Sequence, residues 1–507
     1  MEGAWCTSRQ AKQPHPLHVF PPASRVVDPG NWSLPLSRSP AAPLLPSDKS
    51  RHELNSSLQA STSEAFSVLS ARMELPAGVN RRYGSFAICL LTTIWIWVAL
   101  KRPYSFHYTA WSIYANAPQS PSRDLFDYPP LVSPAMKNLC ESTPWNESVV
   151  FMCHAPTGNV AEVRNEVLSC VRYAMAAGGS LVIPRIVARE PYGEIGAGNP
   201  TDFGYFFDTG HLVESLQVSC PQMRLYKTAF SLQDGERARG PFALQPEMLL
   251  KKISGAGKKL SEEWRTLFYK WLAQNLEPDA GGPVIVELGN SHLTYPVASD
   301  GAAFEHFGKI LKIRSDIRDL ATSALLRFAE RHAISFNLRD LMRTNFLLGA
   351  YLSTETDVKV LPKPDRLNAD YDTQARLYLD HAMRSNLSAI YAASERDTDI
   401  PRFFKDAAAL GVRVTSKLDL LQGRDRKRLL AMTPDQQSLV DFLVLGTVSE
   451  FVGVGHSSFA WSVALRRQQY LEKKVGLAEG PELLSDPFSQ IFGTPGSHPE
   501  FAAAMWP

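Results

Sequence analysis

Short apolar runs and apolar residues at helical spacing alternate along the chain from residue 149 onward. The run Val149–Cys153 (VVFMC) predicts a buried strand, and Glu162–Ala177 follows with one apolar face at helical spacing. Leu181–Val187 predicts a second strand, Glu190–Gly210 a long loop rich in glycine and proline, and Pro283–Leu288 another buried strand. Strand, helix and strand in this order are typical of a parallel sheet that is covered by helices.

A second series of the same kind follows a mostly helical stretch, Phe304–Arg331. The strands predicted in it are Phe346–Leu352, Ala389–Ala393, Val412–Thr415 and Phe451–Val454, and the helices are Tyr371–Asn386, Pro401–Leu410, 434–446 and one that opens at Ser457. Two such series predict an α/β protein with two Rossmann-like, doubly wound domains that face each other across a cleft.

The residues before this region differ in character. Tyr83–Leu100 holds 18 residues without a charge between two basic pairs, which predicts a single transmembrane helix; a buried core helix is the alternative. The large patterned region follows it, so we expect that region on the lumenal side. The predicted organisation is a disordered cytosolic tail (1–82, with Met73 as a possible alternative start), the transmembrane helix (83–100), a stem (101–148) and two domains (149–345 and 346–507).

Composition narrows the function classes. Lys and Arg number 53 against 51 Asp and Glu, so a broad basic face for nucleic acid is not expected. Cys140, Cys153, Cys170 and Cys220 follow the predicted membrane segment. In a lumen they would form two disulfides with one of three connectivities, while buried free thiols are the alternative.

The most informative motif lies near the end of the second series. The strand at 451–454 turns through Gly455 into Ser457 and Ser458 at the start of a helix. Free backbone N–H groups, two hydroxyls and the positive end of the helix dipole meet there, which predicts an anion site. His456 precedes the turn, either to bind phosphate or to pack, and Asp441 lies upstream in the apolar helix Ala431–Gly446.

This pair of segments resembles the C-terminal half of the GDP-fucose protein O-fucosyltransferase superfamily. The resemblance implies a GT-B fold in which Ser457, Ser458 and Phe459 hold the phosphates and base of a GDP-sugar and Asp441 contacts the nucleoside. A buried carboxylate is costly unless it is paired, so a structural hydrogen bond is the alternative role of Asp441.

The turn Thr157-Gly158-Asn159 carries a second part of the resemblance. It follows the first strand, at the carboxyl edge where doubly wound sheets bind ligands. Asn159 matches a superfamily asparagine near the sugar and acceptor, and Arg164 and Asn165 resemble residues just downstream. A simple helix N-cap is the alternative role of Asn159.

The third part is GAYLSTETD, where the sequence departs from the superfamily. Tyr351 and Ser353 stand where the superfamily has a histidine and the arginine that clamps the diphosphate, while the acids Glu355 and Asp357 are retained. Glu355 and Asn159 are the candidate catalytic residues. A neutral serine does not neutralise a leaving diphosphate, so either another cation (Arg343, Lys359 or Lys417) takes over or the protein is inactive.

The predicted function is therefore transfer of fucose, or a related sugar, from a GDP-sugar to a protein or glycan hydroxyl by a Golgi or endoplasmic reticulum protein of type II topology. The resemblance implies an inverting reaction without metal or cofactor; Asp370-Tyr-Asp372 and Asp397-Thr-Asp399 are interpreted as helix caps rather than metal ligands. The alternative is an inactive lumenal binding protein with the same fold. A Rossmann-type oxidoreductase is disfavoured, because no GxGxxG follows a predicted strand.

Overall fold

Two five-stranded parallel sheets organise the structure, which is a computed structural model of the 507-residue chain. It describes residues 124–189, 198–232, 238–250, 260–276, 281–297, 300, 304–334, 337–354, 359, 361, 363–387, 389–396, 398–471 and 483–507. The tail, the transmembrane helix and most of the stem predicted from the sequence lie outside these residues. No helix within the described ranges has the length and hydropathy needed to cross a membrane.

The elements, numbered in chain order, are as follows. The strands are β1 (Asn146–Cys153), β2 (Gly179–Val182), β3 (Ile186–Arg189), β4 (Gly198–Thr201), β5 (Leu225–Tyr226), β6 (Arg239–Leu244), β7 (Val284–Leu288), β8 (Leu347–Leu352), β9 (Ala389–Ser394), β10 (Arg413–Thr415), β11 (Glu450–Val454) and β12 (Ser489–Phe492). The α-helices are α1 (Pro134–Ser142), α2 (Val160–Ala177), α3 (Thr209–Ser219), α4 (Pro246–Leu249), α5 (Leu260–Asn275), α6 (Ser315–Arg331), α7 (Lys363–Arg366), α8 (Tyr371–Arg384), α9 (Asp399–Ala409), α10 (Lys417–Leu420), α11 (Gly423–Leu430), α12 (Pro434–Leu445), α13 (Ser458–Gln468) and α14 (Pro499–Ala504).

The strand order of each sheet fixes where a ligand would bind. The first sheet has the order β5-β2-β1-β7-β6 and the second has the order β10-β9-β8-β11-β12. In the second sheet the chain moves from β8 to β9 on one side and later returns to place β11 on the other side of β8. The carboxyl ends of β8 and β11 therefore flank a switch point, where the two crossovers leave a crevice.

Burial explains why the strands consist of continuous apolar runs. All six residues of β8 are buried, as expected of a central parallel strand covered on both faces. Helix α2 packs against α13, and α6 packs against α12. We call the parts built on the first and the second five-stranded sheet the two halves. Apolar side chains from both sheets and these helices form one buried cluster, so the two halves share a core.

Most predicted elements are confirmed, with two corrections. The predicted strand Leu181–Val187 is two strands, β2 and β3, separated around Pro184, which has no N–H to donate to a ladder. The predicted loop Glu190–Gly210 is partly wrong, because β4 pairs with β3 as an antiparallel hairpin and α3 begins at Thr209. Residues 190–197 of that loop lie outside the described ranges.

The last residues of the chain lie across α2 and connect the halves. Arg164 donates to the backbone oxygens of Trp506 and Pro507, at 2.7 and 2.6 Å. Asn165 accepts from the Trp506 N–H at 2.8 Å, and the Trp506 indole is fully buried against Tyr295 and Phe307. Arg164 and Asn165 thus hold the C-terminal segment on α2.

One buried arginine fixes the elements around α13. The Arg467 side chain has no solvent exposure and donates to several backbone carbonyls, and burial lowers its pKa to about 9. These carbonyls belong to Leu445, Val448, Ser449 and Phe488. The end of α12, the start of β11 and the turn before β12 therefore share a single anchor on α13, and each buried donor has a strong acceptor.

The four cysteines form two disulfides, which confirms the disulfide alternative. Cys140–Cys220 joins α1 to the residue after α3, and Cys153–Cys170 joins the last residue of β1 to α2. The second disulfide brackets the Gly158-Asn159 turn. It therefore restrains the loop that carries the first candidate site residues.

We predict that the two disulfides stabilise the protein unequally. They close loops of 80 and 17 residues, for which loop-closure entropy gives about 4.5 and about 3 kcal/mol. Replacing Cys140 and Cys220 with serine should lower the free energy of unfolding more than the same change at Cys153 and Cys170. Urea unfolding of the two variants measures this, and equal midpoints with and without reductant in the wild type would contradict it.

Candidate functional site

The candidate residues lie at the carboxyl ends of central strands in both sheets. Gly158 and Asn159 connect β1 to α2, and Ser457, Ser458 and Phe459 connect β11 to α13. In the next strand, Tyr351 belongs to β8 and Ser353 follows it. Glu355 and Asp357 lie outside the described residues, so the structure leaves the predicted catalytic role of Glu355 untested.

Asn159 brings the two halves into direct contact. Its Oδ1 accepts from the N–H groups of Ala161 and Glu162, at 3.0 and 3.2 Å, which confirms the N-cap prediction. Its Nδ2 also donates to the Ser458 hydroxyl, at 2.7 Å, across 299 residues of sequence. The cap therefore has a second function, because it joins the starts of α2 and α13.

Glu162 completes this contact, and the sequence analysis did not single it out. Its Oε1 accepts from the Ser458 hydroxyl at 2.8 Å and from Asn159 Nδ2 at 3.0 Å, while its Oε2 accepts from the Asn159 N–H at 3.3 Å. Asn-x-x-Glu before an apolar helix is the pattern of a capping box, so this signal was available in the sequence. We name these three residues, Asn159, Glu162 and Ser458, the junction.

Gly158 is required by the backbone at the junction. Its φ is +119°, a conformation that other residues rarely adopt, and an added Cβ would lie 2.1 Å from Glu162 Oε2. The single glycine of this turn therefore makes room for the Glu162 carboxylate.

The predicted helix start at Ser457 and Ser458 is confirmed, and the structure shows that it is capped and buried. The Ser457 hydroxyl accepts from the Ala460 N–H at 3.2 Å, and Ser457 and Ser458 are both buried. Trp461 donates to the Gly455 carbonyl at 2.8 Å and belongs to the core. The positive end of the α13 dipole lies at this helix start, beside Ser458 of the junction.

Aromatic rings pack beside this helix start. The Tyr351 ring stacks on Phe459, with centroids 4.1 Å apart and an angle of 14° between the planes, and Phe442 meets Phe459 edge-on at 5.6 Å. The Tyr351 hydroxyl donates to Glu395 Oε1 at 2.8 Å. Burial, and then the Glu395 carboxylate, raise the pKa of Tyr351, so this hydroxyl stays protonated.

Ser353 is held by its backbone. Its N–H donates to Gln374 Oε1 at 3.0 Å, and its carbonyl accepts from Gln374 Nε2 and from His456 Nε2, at 2.6 and 3.0 Å. His456 is thus hydrogen-bonded to the Ser353 backbone, and its role in binding phosphate stays a prediction.

None of the three substitute cations is placed against Ser353 by a described contact. Lys417 is paired with Asp441. Arg343 precedes β8, so it lies at the amino edge of the sheet, opposite to Ser353. Lys359 is exposed, and its backbone carbonyl accepts from Arg366 at 2.9 Å. Across the described residues, the contacts of Ser353 include no ion pair or hydrogen bond with a cationic Lys or Arg side chain.

Asp441 has two internal partners and is only 3% exposed. Its Oδ1 accepts from the Tyr391 hydroxyl at 2.7 Å, and its Oδ2 accepts from Lys417 Nζ. These two contacts match the structural alternative stated above. Removing either partner would leave the buried carboxylate without full compensation of its charge, which destabilises the fold. Its contact with a nucleoside stays a prediction.

A second acid follows Glu162 one turn along α2. Glu166 is 4% exposed, and burial raises its pKa to about 7, with a smaller contribution from Glu162. The Ser291 hydroxyl donates to the Glu166 carbonyl at 3.0 Å, and neighbouring His292 has its pKa lowered to about 4 by burial. Both side chains are held in environments that favour their neutral forms.

The structure describes the two Asp-x-Asp segments in part. Asp370 caps α8 by accepting from the Thr373 N–H, as predicted, while Asp397 lies outside the described residues. Within the described ranges, no group of three or more His, Cys, Asp or Glu side chains is arranged to hold a metal ion. The absence of a metal requirement stays a prediction.

Comparison with known proteins gives structural likenesses at low identity. No protein-family model and no curated protein matches the sequence. The chain is similar to the crystal structure of POFUT1 in complex with GDP (13% identity, 69% of this chain and 99% of that chain, TM-score 0.40) and in complex with GDP-fucose (15%, 70%, 99%, 0.40). It is also similar to the fucosyltransferase NodZ from Bradyrhizobium (14%, 64%, 92%, 0.34). Likenesses of this size carry no functional argument, which has to come from the site residues.

We predict that Glu166→Gln stabilises the protein in a pH-dependent way. The folded-state pKa of Glu166 (about 7) lies above its ordinary value of 4.5, so the folded state binds more protons between these values and its stability falls as the pH rises. The neutral glutamine avoids this cost, on the order of 2–3 kcal/mol at pH 8.

Thermal or urea unfolding at pH 4.5 and pH 8 measures the effect. The stability difference between Glu166→Gln and wild type should be small at pH 4.5 and large at pH 8. Exposed Glu141→Gln is the control and should show no such trend. A difference of the same size at both pH values contradicts the burial effect.

Proposed function

We propose that this protein is a glycosyltransferase of GT-B type that takes a GDP-sugar as donor, with fucose or a related sugar transferred to a protein or glycan hydroxyl. The observation that supports it most is the junction, where Asn159 of the first half donates to Ser458 of the second half at 2.7 Å. Two residues predicted from separate motifs thereby meet at one point, between the carboxyl ends of two parallel sheets.

In this proposal the donor diphosphate binds at the start of α13. The first N–H groups of that helix, its dipole and the Ser457 and Ser458 hydroxyls supply neutral donors. As the glycosidic bond breaks, the leaving diphosphate gains negative charge, which donors fixed in a buried site stabilise without reorganisation. Asn159, which contacts Ser458 directly, is in this proposal the residue near the sugar and the acceptor.

The finer parts of the proposal rest on the resemblance found in the sequence. They are inversion at the anomeric carbon, independence from a bound metal, a catalytic role for Glu355, and a single-pass type II protein in the Golgi or endoplasmic reticulum membrane with its folded region in the lumen. The two disulfides are compatible with a lumenal location, as is the exposed Asn386, the first residue of an Asn-Leu-Ser sequence that could accept a glycan.

A second candidate function has its own support. Ser353 replaces the expected arginine, and Asp441 is paired with Tyr391 and Lys417. A chain without a diphosphate clamp and with its nucleoside carboxylate engaged internally has the features of a binding protein that no longer transfers sugar. This candidate keeps the fold and the lumenal location.

We predict that the full-length protein binds GDP more tightly than UDP. Isothermal titration calorimetry with GDP, UDP and inorganic pyrophosphate measures this preference. Ser458→Ala should weaken GDP binding about fivefold, as expected for one lost hydrogen bond. Ser462→Ala is the matched control, because this buried hydroxyl on the same helix has no hydrogen-bond partner within the described residues. Equal affinity for all three compounds would remove the case for a GDP-sugar site.

We also predict that Ser353→Arg separates the two candidate functions. A guanidinium at this position acts mainly on the charge that develops on the diphosphate, so it should raise GDP-fucose turnover in a silent wild type. The assay is release of GDP from GDP-fucose, with and without a glycoprotein acceptor mixture. An active wild type that Ser353→Ala leaves unharmed indicates that another cation stabilises the diphosphate.

A further inference from the structure

Glu162 makes a contact that its local role in α2 does not require. A capping box needs only the bond from the Asn159 N–H to Glu162 Oε2, at 3.3 Å. The other carboxylate oxygen reaches the opposite half, where the Ser458 hydroxyl donates to it at 2.8 Å. Glu162 is therefore a charged group that lies against the residue assigned to the donor diphosphate.

The electrostatics of the junction explain why a carboxylate is stable there. Helices α2 and α13 both begin at the junction, so two positive dipole ends lie close together. The Glu162 carboxylate compensates both ends and accepts three hydrogen bonds from the junction. An incoming diphosphate would need one of these donors, the Ser458 hydroxyl, and would be repelled by the negative charge of Glu162.

We propose that Glu162 is an autoinhibitory group: its carboxylate engages Ser458 in the free protein, and the donor diphosphate binds only when it displaces that carboxylate. This inference rests on the proposed function, because it takes the start of α13 as the diphosphate position. Glu162 is half-buried, so its side chain can turn toward solvent without burying its charge elsewhere.

The backbone next to Glu162 supports this role. Gly158, with φ +119°, leaves the space that Glu162 Oε2 occupies, so the backbone accommodates the carboxylate at the junction.

Glu162→Gln tests the proposal, because it removes the charge and keeps the shape. Glutamine serves as well as glutamate in a capping box, so α2 should keep its cap and the variant should fold. Calorimetry on the full-length protein with inorganic pyrophosphate at low ionic strength should show affinity about tenfold higher than in the wild type. Glu166→Gln is the matched control, with the same change one turn away and no contact with Ser458 given by the structure, and its affinity should equal that of the wild type.

The outcomes separate this inference from the proposed function. The autoinhibitory role is overturned if Glu162→Gln does not bind pyrophosphate. It is also overturned if this variant binds pyrophosphate no better than the wild type or Glu166→Gln. Tighter pyrophosphate binding without any preference for GDP supports Glu162 as a competing anion and removes the GDP-sugar proposal. A preference for GDP over UDP, together with equal pyrophosphate affinity of wild type and Glu162→Gln, keeps the GDP-sugar proposal and removes the autoinhibitory role.

A second variant guards against an indirect effect of Glu162→Gln on folding. Ser458→Ala keeps the charge of Glu162 and removes the hydroxyl that it engages. Introduced into Glu162→Gln, it should cancel part of the gain in pyrophosphate affinity, because the freed hydroxyl is then missing. A double variant that binds as tightly as Glu162→Gln would show that Ser458 is not the group that Glu162 blocks.

Discussion

The meeting of two helix starts at the junction is the constraint on which the arrangement of the site depends. Each helix begins after a central strand of a different sheet. The junction therefore forms only if the two sheets are correctly placed relative to each other. The shared core, the C-terminal segment on Arg164 and Asn165, and the Cys153–Cys170 disulfide all restrain α2. The Asn159–Ser458 contact is therefore the local result of long-range packing, not of either loop alone.

The second half shows how buried charge is managed around the site. Arg467 is saturated by carbonyl oxygens, and Asp441 is paired with Lys417 and Tyr391. Such groups stabilise a fold only when their partners are complete, and each would leave a costly unpaired group if one partner moved. These contacts restrain the elements behind α13, whereas Glu162 combines a charge with access to solvent at the junction.

The sequence allowed the fold to be predicted further than the site. Parallel strands buried on both faces are long apolar runs, so the sequence predicted β1, β7, β8 and β11. It also predicted the start of α13. Strand β6, helix α5 and the disulfide connectivity were not predicted, because they depend on which distant segments pack together. Asp441 illustrates the limit within the site, since its partner Lys417 is a neighbour only in the folded chain.

Charge is the quantity that decides between an enzyme and a binding protein with this geometry. Ser353 supplies no positive charge, and the described contacts place no Lys or Arg side chain beside it, so a diphosphate at α13 would rely on neutral donors and helix dipoles. Glu162 makes the junction more negative still. Ser353 in place of a cation and the charge of Glu162 would both weaken ground-state binding of an anionic donor. Only a group at the position of Ser353 would act on the charge that develops as the glycosidic bond breaks. Under the proposed function, displacement of Glu162 would restore donor binding, while the rate of transfer would still depend on what stabilises the diphosphate near Ser353.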